Sequence, residues 1–158
     1  MFSKIAIITA AIGLRNSVAA LGYARVVNNC DFDAYVRSVG KQEGPVRRVQ
    51  PKQMVAELYH YGDEDLVKLA ALEQRPGRTY KVARTEAVGG AELDFGYAIQ
   101  DGGARVFYSL SSVNGNPYDG LNVEISSSDS SCPSIGLNQG SRDCSSDADT
   151  ILTLCATS

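Results

Sequence analysis

The chain has 158 residues, with 15 basic against 18 acidic side chains for a formal charge of −3, and a single histidine. That balance excludes the strongly cationic surface that nucleic acid or an anionic membrane would call for. One histidine and no Cys-x-x-Cys pair leave no metal-ligand or cofactor motif, so neither metal nor cofactor is expected.

In chain order, the basic start Met1-Phe2-Ser3-Lys4 precedes an apolar run over residues 5–14, and Arg15-Asn16-Ser17-Val18-Ala19-Ala20 comes next. These are the parts of a secretory signal peptide over residues 1–20, with cleavage after Ala19 or Ala20. The apolar run falls short of the roughly 20 residues needed to span a bilayer. Residues 21–158 are then expected to form one domain and to act as a monomer. Lys4 and Arg15 leave with the leader, making the remainder two units more negative.

Period-two alternation dominates the rest of the chain and predicts strands over 23–28, 32–39 and 54–59. Leu93, Phe95, Tyr97 and Ile99 share one strand face, as do Val106, Tyr108 and Leu110, and then Leu121, Val123 and Ile125; residues 151–155 close the pattern. Gly44-Pro45, Gly89-Gly90, Asp101-Gly102-Gly103 and Asn114-Gly115-Asn116-Pro117 punctuate the runs as turns. Short strands so punctuated predict an all-β antiparallel sandwich. One segment breaks the rhythm: Asp63-Glu64-Asp65, then Leu66, Leu69 and Ala70 at helical spacing, then Arg75-Pro76-Gly77. It predicts a short helical insertion over 63–74. Residues 126–149, dense in Ser, Asp, Asn and Gly, read as a loop.

Cys30, Cys132, Cys144 and Cys155 form an even set in a chain that carries an export leader, so two disulfides are expected. Of the three connectivities we favour Cys132 with Cys144, closing a short polar loop, and Cys30 with Cys155, tying the opening strand to the closing one.

The stretch Ala24-Arg25-Val26-Val27-Asn28-Asn29-Cys30-Asp31-Phe32-Asp33-Ala34-Tyr35-Val36 resembles the opening of thaumatin-like proteins, a V-x-N-x-C strand followed by an aromatic strand. Phe107-Tyr108-Ser109-Leu110-Ser111-Ser112-Val113-Asn114-Gly115-Asn116-Pro117 resembles their Y-D-V-S-x-V-D-G-F-N segment, and Leu152-Thr153-Leu154-Cys155 their closing strand. Within that superfamily the chain is most similar to the small, four-cysteine, yeast-phase-specific secreted proteins of fungi. The resemblance implies a β-sandwich and supports joining Cys30 to Cys155. It also implies the place of an acidic cleft, which in plant-type members combines an arginine with four carboxylates and is linked to β-1,3-glucan binding and, in some, weak hydrolysis.

The residues at those places differ. One cleft Asp falls on Ser109, another on Asn114, and the Glu falls on or near Gly96, with Asp94 and Glu92 the nearest acids. A hydroxyl and an amide can hydrogen-bond a sugar but cannot serve as the acid/base pair of glycoside hydrolysis. No catalytic residue is therefore assigned. Glu92, Asp94, Ser109, Asn114, Tyr118 and Asp119 are the candidate ligand groove. Tyr59, Tyr61, Tyr108 and Tyr118 divide between core and a stacking platform for sugar rings. Arg37, Lys41, Arg47, Arg48 and Lys52 read as a solvated edge. The lone His60 has no G-x-S-x-G serine to serve, which disfavours a nucleophilic triad. The expectation is a secreted, disulfide-stabilised, non-enzymatic binding protein, an effector or antigen whose partner is a cell-wall polysaccharide or an extracellular protein. Its rivals are a weak β-1,3-glucan hydrolase with a rearranged acidic groove and an inhibitor of a secreted hydrolase.

Overall fold

The computed structural model describes residues 20–60 and 77–157. Residues 1–19 of the expected leader, the helix predicted over 63–74 and Tyr61 lie outside the described residues. Eleven strands are present among those described: β1 Tyr23–Asn28, β2 Ala34–Val39, β3 Arg47–Val49, β4 Met54–Leu58, β5 Arg78–Ala83, β6 Glu92–Gln100, β7 Arg105–Val113, β8 Val123–Ser127, β9 Ile135–Gly136, β10 Ser141–Ser145 and β11 Thr150–Leu154. They form a five-stranded sheet in the order β4-β1-β11-β8-β9 and a six-stranded sheet in the order β10-β7-β6-β5-β2-β3. Every pairing is antiparallel except β1 with β11, which is parallel.

Alternation along each strand decides which face is buried. β6 buries Leu93, Phe95, Tyr97 and Ile99, and β7 opposes them with Leu110, Tyr108 and Val106 in matching register. Val26, Ile125, Leu152 and Leu154 face them from the five-stranded sheet, so one core fills the space between the layers. Cys30 and Cys155 lie just beyond the ends of the parallel pair and are bonded, with Cα atoms 5.1 Å apart; Cys132 and Cys144 are bonded at 5.6 Å. Both favoured connectivities are thus present.

Asn28 explains the V-x-N-x-C signature physically. It is fully buried; its amide donates to the carbonyls of Phe32 (2.8 Å) and Val49 (2.9 Å), and its side-chain oxygen accepts from the Cys30 N–H (3.1 Å). One side chain therefore closes the β1–β2 turn and anchors β3.

The sequence-based expectations need two corrections here. Residues 126–149 are not simply a loop, because they hold β9 and β10, and β10 forms an edge of the six-stranded sheet. In β10 only Cys144 is buried, so the strand exists through backbone pairing with β7 and leaves no apolar alternation to read. Leu121 precedes β8 and is 39% exposed, so it does not extend the buried face of Val123 and Ile125.

Candidate functional site

The outer face of the six-stranded sheet is set by register. Residues that alternate with the core line up across neighbouring strands in rows. Arg37, Lys81, Asp94 and Ser111 form one row; Thr79, Gly96, Ser109 and Ser141 form the next; Ala98, Phe107 and Asp143 form a third.

The first row carries a charge cluster. Lys81 Nζ donates to Glu92 Oε1 (2.6 Å) and to both oxygens of Asp94 (3.0 and 3.2 Å), while Arg37 Nη2 donates to Glu92 Oε2 (3.0 Å). Arg37 Nε lies 2.8 Å from Glu43 Oε1, an ion pair whose angle leaves that N–H without an aligned hydrogen bond. Arg37 and Glu92 are buried, at 8% and 6% exposure, and line a small cavity together with Val46 and Thr85. Burial lowers the Lys81 pKa, but its hydrogen bonds to Glu92 and Asp94 outweigh this and raise it overall.

Next to the cluster lies a shallow trough of about 370 Å³. Its floor is Gly96, flanked by the hydroxyls of Thr79, Ser109 and Ser141, and the half-exposed Phe107 stands along one side. A Cβ placed on Gly96 would lie 3.3 Å from Ser109 Oγ, so the absent side chain is what keeps the floor low.

The structure brings only part of the candidate groove together. Glu92, Asp94 and Ser109 share this face. Asn114 is exposed beyond the end of β7, where its amide reaches the Gly89 carbonyl at 3.4 Å. Asn114 and Gly115 both take positive φ (54° and 106°), a left-handed pair that Asn-Gly adopts at least steric cost. Their evident role is to shape the turn. Asp119 is exposed on the following turn, and no hydrogen bond or ion pair joins it to the cluster among the described residues.

Tyr118 is a correction: it is fully buried, its ring stacks 6.2 Å from Phe32, and its hydroxyl donates to the Ala83 carbonyl at 3.4 Å. Tyr59 and Tyr108 are also in the core, with hydroxyls donated to Ala148 and Pro133 carbonyls, so no stacking platform is built from them. Arg37 corrects the solvated-edge reading in turn, since its guanidinium is buried in the cluster.

Sequence reasoning missed Lys81, Phe107 and Thr79 as site residues. Period two does place all three on the outer face. What it cannot supply is the cross-strand register that puts Lys81 between two acids and Phe107 beside a glycine floor.

Glu92 and Asp94 both touch one ammonium, so their carboxylates are no more than about 6 Å apart, close enough for a retaining pair. The Lys81 ammonium occupies the space between them, where a scissile bond would have to enter, and both groups already act as acceptors. Elsewhere, Asp129 lies beside Cys132 and Cys144, but both sulfurs are in the disulfide and offer no thiolate to a metal.

The two-layer sandwich has the thaumatin-like fold. Solved structures bear this out for the fold: the protein elicitor MoHrip2 from Magnaporthe oryzae (TM-score 0.67, 23% identity, 85% of this chain and 99% of that one) and the thaumatin-like xylanase inhibitor TLXI (0.55, 10%, 84% and 99%). The chain itself belongs to the Bys1 family, described as Blastomyces yeast-phase-specific protein, which matches residues 11–156. It is also 29% identical over 124 residues to an antigenic thaumatin-like protein of Arthroderma benhamiae, spanning 78% of this chain but only 57% of that relative's length.

Proposed function

We propose that this chain is an extracellular, non-enzymatic binding protein that recognises a cell-wall polysaccharide through the trough on the outer face of the six-stranded sheet. The observation that carries this reading is the pairing of a hydroxyl-lined, phenylalanine-walled trough with neighbouring carboxylates already held by Lys81 and Arg37. Hydroxyls and an aromatic edge suit a neutral sugar ring. A general acid must instead offer a proton, and neither Glu92 nor Asp94 does so in this arrangement.

Export is supported by the leader-like residues 1–20 and by the pairing of all four cysteines, as oxidising surroundings favour. The elicitor and antigenic descriptions of the relatives fit a protein that acts by being bound or recognised outside the cell.

The test is retention on insoluble β-1,3-glucan, chitin and xylan, with reducing-end release followed in parallel. Phe107→Ala and Gly96→Val should each abolish retention while leaving the unfolding transition in place, and no reducing ends should appear. Turnover that is lost in Glu92→Gln and Asp94→Asn would overturn the reading in favour of a hydrolase. Inhibition of secreted glycanases without any retention would move the partner from glycan to enzyme.

A further inference from the structure

The trough on the outer face of the six-stranded sheet has a carbon floor. Gly96 and Ala98 of β6 present only a hydrogen and a methyl group there. Gly77, immediately before β5, continues the floor, because a Cβ on it would lie 2.6 Å from the Tyr97 carbonyl oxygen and 3.1 Å from Ala98 Cβ. Register places Ser109 and Thr79 on the two strands that flank Gly96. Their hydroxyls lean over it: from the point where a Gly96 Cβ would stand, Ser109 Oγ is 3.3 Å away and Thr79 Oγ1 3.9 Å. The missing Cβ therefore leaves a slot with a hydroxyl on each side.

Both hydroxyls are available to a ligand. Ser141 Oγ is occupied, donating to the Tyr108 carbonyl at 3.2 Å, whereas among the described residues neither Ser109 Oγ nor Thr79 Oγ1 has a hydrogen-bond partner. A hydroxyl both donates and accepts, so the pair can satisfy one donor and one acceptor held side by side. The two oxygens stand no more than about 7 Å apart. With about 2.8–3.0 Å taken up by a hydrogen bond at each end, that gap suits the N–H and C=O of a single amide.

Phe107 lies on the same face of β7, two residues from Ser109 and so about 7 Å along the strand, and pairs with Ala98. Its half-exposed ring offers an apolar surface to the C–H face of a pyranose whose substituent enters the slot. The residues of the floor and the two flanking hydroxyls carry no charge, and the nearby acids are already held by Lys81 and Arg37.

We propose that the slot over Gly96 receives the acetamido group of an N-acetylhexosamine unit, so that the polysaccharide bound in the trough is an N-acetylated one. This rests on the reading of the trough as a glycan site and names its ligand class. The acetamido N–H donates to one hydroxyl, its C=O accepts from the other, its methyl lies on Gly96 and Ala98, and the ring packs on Phe107. A vicinal pair of sugar hydroxyls can meet the same two oxygens but leaves the carbon floor without an apolar partner.

The experiment titrates the isotopically labelled chain with the β-1,4-linked tetramer of N-acetylglucosamine and with cellotetraose, which has the same linkage and lacks the acetamido group, following backbone amide shifts. The N-acetylated tetramer should move the amides of Thr79, Gly96, Ala98 and Ser109 and bind about tenfold more tightly than cellotetraose. Ser109→Ala and Thr79→Val should each weaken it about fivefold, as the loss of one uncharged hydrogen bond does. Gly96→Ala, which fills the slot, should bring it down to the affinity of cellotetraose with the unfolding transition in place. Equal affinity for the two tetramers, a preference indifferent to Gly96→Ala, or no shift at these amides with the N-acetylated tetramer would each overturn the assignment. Phe107-dependent retention on β-1,3-glucan or xylan would still uphold the trough as a glycan site in those cases, and its absence on every glycan would remove that reading too, so the two fail separately.

Discussion

Asn28 shows how much of this fold rests on single polar side chains. Replacing it with alanine leaves the Phe32 and Val49 carbonyls and the Cys30 N–H without partners in a fully buried place. At about 1–3 kcal/mol for each buried group left unsatisfied, and some relaxation, Asn28→Ala should cost about 3 kcal/mol, read as a lower urea midpoint at unchanged slope. Lys81 poses a different question because it separates two acids. Lys81→Met should destabilise by about 2 kcal/mol near neutral pH, since Glu92 and Asp94 then face each other with only Arg37 to compensate. The loss is read as a lower urea midpoint at unchanged slope.

At the scale of elements, the two disulfides differ in what they constrain. Cys30–Cys155 spans 125 residues and Cys132–Cys144 spans 12. Chain entropy assigns about 5 kcal/mol to the first and about 3 kcal/mol to the second. The Cys30→Ala/Cys155→Ala double variant should thus lose more stability than Cys132→Ala/Cys144→Ala in matched denaturant titrations. The short bridge instead guards β10, whose buried face is Cys144 alone, so its loss should raise amide exchange in Ser141–Ser145 first. The same feature explains which elements were legible. β6 and β7 announce themselves through four and three alternating apolar residues, whereas β10 reads as Ser-Arg-Asp-Cys-Ser and is specified by the edge of β7 that it joins.

For the whole molecule, the core's tyrosines link stability to pH. Burial raises the pKa of Tyr59, Tyr80, Tyr97 and Tyr118 from 10.0, and Glu57 adds to the effect at Tyr80 and Tyr97. A raised folded pKa gives stability that is complete below the unfolded value and is lost as pH rises toward the folded one. Lys81, raised above 10.5, acts in the same direction. Stability should be insensitive to these groups at neutral pH and fall steeply above pH 10.0, with their phenolate absorbance appearing together with unfolding. The sandwich and the buried faces of β6 and β7 were legible in the sequence alone, because period two is a local signal, and the even set of four cysteines called for two disulfides; at Leu121 the same alternation misled. Ser109 was named through the family resemblance, where it stands in place of a cleft Asp, and it lines the trough. Tyr118 was not legible as core, since nothing local distinguishes a tyrosine stacked on Phe32 from one offered to a sugar. Only the tertiary structure decided that Lys81 stands between Glu92 and Asp94, that Gly96 floors a trough beside Phe107, and that Glu57 turns inward to meet Ser38 and Tyr97. Each of these depends on strand register or on the distance between sheets, and both are settled by contacts between residues far apart in the chain.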